Sequence, residues 1–314
     1  MSWYGLASYG TREERHPAIV FDSGIFDMAA SFRALQGVDN AVPAWIEGGI
    51  DAVIAEWSRH GDGIQAFADA AGALAADGTL GSAAVSPDQL LAPLQPRRIF
   101  GAAENYVEHA DEMGNVLAAK VDSNPYIFIK AETSAIGPSA AVQIPPQSSQ
   151  VDWEVELGVV IGRTARRIGQ AEALDYVAGY TVVNDVTARD MNVRDDFPFK
   201  FDWFQGKSFD TFAPIGPWIV PTDCIEDPQD LNLSLSVNGE MMQDANTSGM
   251  IFTVVEQISY LSNILTLLPG DVIATGTPTG VGMGRGIFLK AGDVMVASVE
   301  KIGDLENPVI AQPA

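Results

Sequence analysis

Cysteine is almost missing from this chain. One residue, Cys224, among 314 excludes both an intrachain disulfide framework and a thiolate-rich metal site. With no cysteine pair to oxidise, a reducing and therefore cytoplasmic setting is the expectation. Histidine is nearly as scarce: a three-histidine metal site would consume His16, His60 and His109 together. Positive charge is also short, with 18 Lys and Arg against 41 Asp and Glu, a net charge of −23 and an isoelectric point near 4.2. Such a surface repels phosphate backbones and anionic membrane faces, so nucleic acid and membrane are excluded as expected partners. No run reaches the ~18 apolar residues of a membrane span. The opening residues, Met-Ser-Trp-Tyr-Gly-Leu-Ala-Ser-Tyr-Gly, lack the basic-then-apolar order of a signal peptide.

Several fingerprints fail as well. Gly206-Lys207-Ser208 imitates the tail of a phosphate loop, but Phe201 stands where the leading glycine is required. Gly280, Gly282, Gly284 and Gly286 form a ladder that does not fit the Gly-x-Gly-x-x-Gly of a dinucleotide site. No Gly-x-Ser-x-Gly elbow offers a hydrolase serine.

What is present is a core. Hydrophobic residues make up 47% of the chain, enough for a large folded interior. Ala18–Phe21, an Asp-Ser-Gly turn and Ile25–Met28 read as a hairpin, and Ile50, Val53, Ile54 and Trp57, then Ile64, Phe67, Ala71 and Leu74, fall at helical spacing. A proline-punctuated stretch from Ser86 to Pro96 then marks a boundary near residue 95. Beyond it come short apolar strands between turn residues: Tyr126–Ile129, Val155–Ile161, Gly179–Val183, Leu231–Val237, Val272–Thr275 and Val294–Glu300. The expected fold is α+β and β-rich, with a small N-terminal α/β domain over 1–95 and a larger β-rich domain over 96–314.

The stretch Val151 to Gly162 stands out. Apolar and acidic residues alternate from Val151 to Leu157, and the run then turns wholly apolar. Read as one strand, it points Asp152, Glu154 and Glu156 to one side, at roughly 6.5–7 Å intervals. Such a face is either solvated or gathered around positive charge; the apolar Val159-Val160-Ile161 continuation points inward. Elsewhere His109 and Glu112, three apart, would be neighbours on a helical turn, so the carboxylate could orient the imidazole as a base, or the pair could be an incidental surface feature. Asn184-Asp185 closes another apolar strand, either as a turn former or as a ligand. Glu154, Glu156 and Asp185 together would supply three anionic oxygens, the donor set that Mg²⁺ foremost, and Mn²⁺ or Ca²⁺ also, prefer.

Seven segments, taken in order, resemble the fumarylacetoacetate hydrolase family: Asn105-Tyr106-x-x-His109-x-x-Glu112; Pro125-x-x-Phe128-x-Lys130; Asp152 to Leu157; Asn184-Asp185-x-Thr187-Ala188-Arg189-Asp190; Lys207 to Asp210; Val237 to Glu240; and Thr275-Gly276-Thr277-Pro278-x-Gly280-Val281-Gly282. The resemblance covers residues 99 to 308. Ala103 departs from it where members often carry glycine, and Arg194 to Gln205 lies where the family varies, a candidate specificity or dimer loop.

The resemblance implies a β-roll catalytic domain, commonly dimeric, behind a variable N-terminal domain. It implies one divalent metal on Glu154, Glu156 and Asp185, with Asp152 left behind it or solvated. It implies His109, Glu112 and Lys207 as the catalytic group and Lys130, Gln205 and Thr277 as substrate contacts. The implied reaction is hydrolysis of a carbon–carbon bond in a small 2,4-dioxo acid, giving pyruvate plus a second acid. Acylpyruvates, fumarylpyruvate and diketo-deoxy sugar acids are the candidate substrates, and Lys207 among three carboxylates favours a dianionic one. Isomerisation or decarboxylation of a related oxo acid, such as oxaloacetate, is the alternative chemistry. A catalytically silent oxo-acid-binding or assembly subunit is the remaining one.

Overall fold

The computed structural model describes residues 3–37, 39–114 and 116–313. Its centre is an eleven-stranded mixed sheet. Along it lie Gly24–Asp27, Arg15–Phe21, Gly5–Gly10, Ala213–Pro221, Val177–Asn184, Val155–Ile161, Val272–Ala274, Ile99–Ala103 and Tyr126–Lys130, with two short strands attached beside this path. The amino-terminal strands continue the sheet of the larger portion, Leu6 lying opposite Ile219. A second sheet of five strands, in the order Glu240–Asn246, Asn232–Val237, Val294–Val299, Gly303–Ala311 and Val142–Ile144, packs against the first. The fold is α+β and β-rich.

The strand Val155–Ile161 shows why the arrangement holds. Val155, Leu157, Val159 and Ile161 join one buried cluster with Leu233, Leu235 and Ala297 of the second sheet. Val160 faces the other way, into a cluster with Ile50, Val53, Ile54 and Ile64 from the helices Gly49–Ala55 and Trp57–Ala76. A strand covered on both sides has no use for polar residues there, which accounts for the apolar run. Period two puts Glu156 on the same side as Val160, nearer the start of the strand.

The hairpin, the helical segments and the strands expected from the sequence are present, with strand ends shifted by up to three residues. One expectation is corrected. Val151 to Gly162 is not a single strand: Val151–Asp152 pairs with Thr187–Ala188, and Val155–Ile161 pairs with Val177–Asn184. Between them the Asn184 side-chain oxygen accepts from the Glu154 N–H at 2.9 Å, and the Glu154 carbonyl accepts from the Asp185 N–H at 2.8 Å. Side chain replaces backbone in the ladder, so the chain turns and the three acids no longer share one flat face. Among the described residues, no helix is long and apolar enough to cross a membrane.

Candidate metal centre

Glu154 immediately precedes one central strand and Asp185 immediately follows its antiparallel neighbour, whose register sets Val155 opposite Asn184. Residues 31 positions apart are thereby brought side by side. Oxygen atoms of Glu154, Glu156 and Asp185 lie within 4.8 Å of one another, and all three side chains are buried. Three such carboxylates in a dry setting repel strongly unless cations answer them.

The chain supplies three cations. Lys207, at the end of the short helix Trp203–Lys207, donates to Glu154 at 2.8 Å, to Asp185 at 2.5 Å and to the Thr187 hydroxyl at 2.9 Å. Lys130, on the edge strand Tyr126–Lys130, donates to the other Asp185 oxygen and to the Val186 carbonyl. Arg189 pairs with Asp152 through Nε at 2.8 Å and with Glu154 through Nη2. Burial opposes charge on Lys207, but Asp185 and Glu154 outweigh it and raise its pKa; burial, with Lys207 nearby, lowers that of Lys130. Glu154 is driven the opposite way from what burial dictates, down to about 2, by Lys207 and Arg189.

Glu156 differs. Its carboxylate accepts from the Gly276 N–H at 2.7 Å, while burial and the charges of Asp185 and Glu154 push its pKa well above the ordinary range. It is the member of the triad whose charge the protein answers least. A divalent cation among the three oxygens would relieve that repulsion, and an all-carboxylate donor set suits a hard ion. The residues therefore fit the metal that the sequence implied.

His109 reaches the same place from the helix Val107–Glu112, where it is buried. Its Nδ1 faces Glu112 at 3.5 Å. Glu112 is held in turn by the Gly280 N–H, 3.1 Å from both carboxylate oxygens. Burial tends to raise Glu112, but its hydrogen bonds with His109 and Gly280 bring it below the ordinary value. Here the glycine ladder finds its use. Gly280 has φ +100°, and a Cβ there would lie 2.1 Å from the Met242 carbonyl oxygen. Gly282 and Met283 N–H groups donate to Asp152 at 2.6 and 3.0 Å. The ladder thus brings backbone donors against two carboxylates, not against a nucleotide.

A cavity of about 240 Å³ opens over this group, walled by His109, Glu154, Arg189, Lys207, Thr277 and Trp203 among others. Of the residues singled out by sequence, His109, Glu154, Lys207 and Thr277 line it, with Glu156 and Asp185 beside Glu154 and Glu112 beside His109. Thr277 donates its hydroxyl to the Val155 carbonyl and accepts from Gln243, each at 2.9 Å. Lys130 lies behind Asp185, fully enclosed. Gln205 is turned toward Arg194, from which its side-chain oxygen accepts at 3.3 Å. Asp152 is not solvated, as one reading of the sequence allowed: it is wholly buried, with donors from Trp153, Gly282, Met283 and Arg189. Arg189 went unassigned in the sequence. Its signal was the Thr-Ala-Arg-Asp run after Asp185 and the surplus of acids awaiting a cation.

Comparison with known proteins places the chain among relatives of one family. The family model described as fumarylacetoacetate (FAA) hydrolase C-terminal matches residues 98–310. The mitochondrial oxaloacetate tautomerase Fahd2a of Rattus norvegicus is 42% identical over 223 residues, 70% of this chain and 69% of the relative. Among solved structures, a fumarylacetoacetate hydrolase from psychrophilic Exiguobacterium antarcticum superposes with a TM-score of 0.74 at 29% identity, over 98% of this chain and 100% of that one. The 5-carboxymethyl-2-hydroxymuconate delta-isomerase of Mycobacterium smegmatis gives a TM-score of 0.61 at 38% identity, over 71% of this chain and 80% of the other.

Proposed function

The chain belongs to the fumarylacetoacetate hydrolase family, and from that premise we propose that it hydrolyses a carbon–carbon bond in a small 2,4-dioxo acid of the acylpyruvate kind, releasing pyruvate and a second acid. The observation that supports this reading is that one cavity is lined both by His109, paired with Glu112, and by Glu154, clustered with Glu156 and Asp185. A divalent cation, Mg²⁺ foremost, would be held by those three carboxylates and would supply Lewis acidity toward the oxygens of a 2-oxo acid.

The chain's own groups do the rest. Glu112 accepts from Nδ1 of His109 and fixes the ring, leaving Nε2 to take a proton from water at the cavity wall. The water oxygen bonds to the C4 carbonyl carbon, and the C3–C4 bond breaks. Its electron pair passes into the enolate of pyruvate, and His109 returns the proton to C3. Lys207 holds Glu154 and Asp185 in place by a hydrogen bond to each, and is itself fixed by a third to the Thr187 hydroxyl.

A second reading has its own support, since the rat relative carries the name of an oxaloacetate tautomerase. There His109 would move a proton between carbon and enol oxygen, with no water attack. One pair of assays separates the two: Mg²⁺- or Mn²⁺-loaded protein is given acylpyruvates and oxaloacetate, with pyruvate release and enol absorbance both followed. Pyruvate from an acylpyruvate, abolished by EDTA and reduced about 10²–10⁴-fold in His109→Ala, is the expected outcome. Enol decay on oxaloacetate with no pyruvate from any dioxo acid would replace hydrolysis with tautomerisation.

A further inference from the structure

The cavity over the carboxylates adjoins a second and larger one of about 550 Å³. Ala103, Glu104, Phe201 and Trp203 line both. Trp203 is a wall common to the two, with ring contacts to Tyr126, Phe128 and Phe201 at 5.1, 5.0 and 5.6 Å. Beyond it the wall is carried mainly by Leu117, Tyr126, Ile251 and Phe252, with Ser123 and Asn124 among them. The charged side chains lining this outer chamber, among the described residues, are Glu104 and Lys120, one of each sign. Lys120 donates to Glu256 at 2.7 Å and lies over the Phe252 ring, 5.6 Å from its centre. In the inner chamber, Lys207 and Arg189 are engaged by Glu154, Asp185 and Asp152.

A carboxylate on the far end of a substrate would give up part of its hydration against a largely apolar wall whose lysine is already paired with Glu256, which is costly. An uncharged aromatic or alkyl tail in the same place gains from apolar burial and ring contact. We propose that the substrate of this site carries an uncharged apolar acyl tail, seated against Trp203 in the outer chamber, and that this chamber sets the specificity. The inference rests on the 2-oxo acid reading of the carboxylate cluster and narrows it. It also departs from the dianionic substrate suggested by Lys207 in the sequence, because the structure shows that ammonium held by two carboxylates.

Binding of inert analogues tests the tail separately from the reaction. Oxamate, N-phenyloxamate and N-(4-carboxyphenyl)oxamate share one 2-oxo acid head and differ in the tail. Calorimetry on the Mg²⁺-loaded full chain should find N-phenyloxamate about tenfold or more tighter than oxamate, with the gain lost in the carboxylated analogue. Tyr126→Ala removes an exposed ring and should return part of the phenyl gain at unchanged oxamate affinity. Leu117→Lys should tighten the carboxylated analogue. Equal binding of all three, or tightest binding of the carboxylated one, overturns the tail assignment and leaves the head intact. No binding of any analogue overturns the 2-oxo acid reading itself, and the tail with it.

Discussion

Asp152 and Glu156 are four residues apart and equally buried, yet their surroundings are opposite in kind. Around Asp152 the protein is complete: three backbone N–H groups and the Arg189 guanidinium converge on one carboxylate. Around Glu156 there is one backbone donor and two further acids. A buried acid whose charge is fully answered ties segments together: Asp152 joins the segment after strand Val151–Asp152, the glycine ladder and the Thr187–Arg189 segment. A buried acid left under-answered costs stability in the free protein and gains it back from a cation supplied by solution. The same residue chemistry makes architecture in one place and a candidate ligand in the other.

Breaking each side of that comparison should give different losses. The largest effect is expected at Glu156: its replacement by Gln, or removal of metal with EDTA, should cut turnover by about 10³-fold or more, since a lost Lewis acid is worth several kcal/mol. In EDTA the melting temperature of Glu156→Gln should match that of the parent where the raised pKa keeps Glu156 protonated, and exceed it at higher pH where Glu156 would ionise beside Asp185 and Glu154. A clear drop in metal-free stability would place Glu156 with Asp152 as a fold-holding residue. Asp152→Ala should do the reverse. It strands Arg189 beside a lost partner and leaves backbone donors unpaired, at a cost of about 3–5 kcal/mol in denaturant unfolding. A loss under ~1 kcal/mol would show that Asp152 is no anchor.

The smallest effect is the most specific. Glu156 has a raised pKa in the metal-free fold, so over the window from the ordinary carboxylate value, ~4.3, up to that raised value it holds a proton that a cation must expel. Metal affinity should therefore climb about tenfold per pH unit across this window and then level off, with a proton released on binding. The stability linkage has the same sign: a carboxyl raised on folding contributes fully below its unfolded pKa and loses that contribution as pH rises through the folded one. Without metal, stability should fall with rising pH over this interval; with metal, the fall should disappear. A metal titration whose affinity is flat with pH would remove Glu156 from the ligand set.

Much of this was legible in the chain. Period-two alternation marked the strand at Val155–Ile161, and the apolar run after it marked burial on both faces, because such patterns depend only on near neighbours. Glu154 and Glu156 stood out as acids on a strand turning inward. Arg189 and the work of the glycines were not legible. A guanidinium finds its carboxylate through packing of segments 37 positions apart, as with Asp152, and a glycine's need for close approach exists only once the other segment arrives. Likewise the sequence offered a continuous strand from Val151. The break appears only because the Asn184 side chain takes a ladder position that alternation cannot reveal.

By itself the sequence determined the α+β, β-rich class, the family and the acids that could serve as ligands, since these follow from composition, periodicity and local motif. Only the tertiary structure decided which acid is held by the protein and which is left for a cation, and which lysine lines the cavity and which lies behind it. It also showed that the space beyond the carboxylates is walled largely by aromatic and aliphatic side chains. Each of those depends on where charges end up relative to one another in a dry interior, and neither burial nor distance between remote residues is written in the order of the chain.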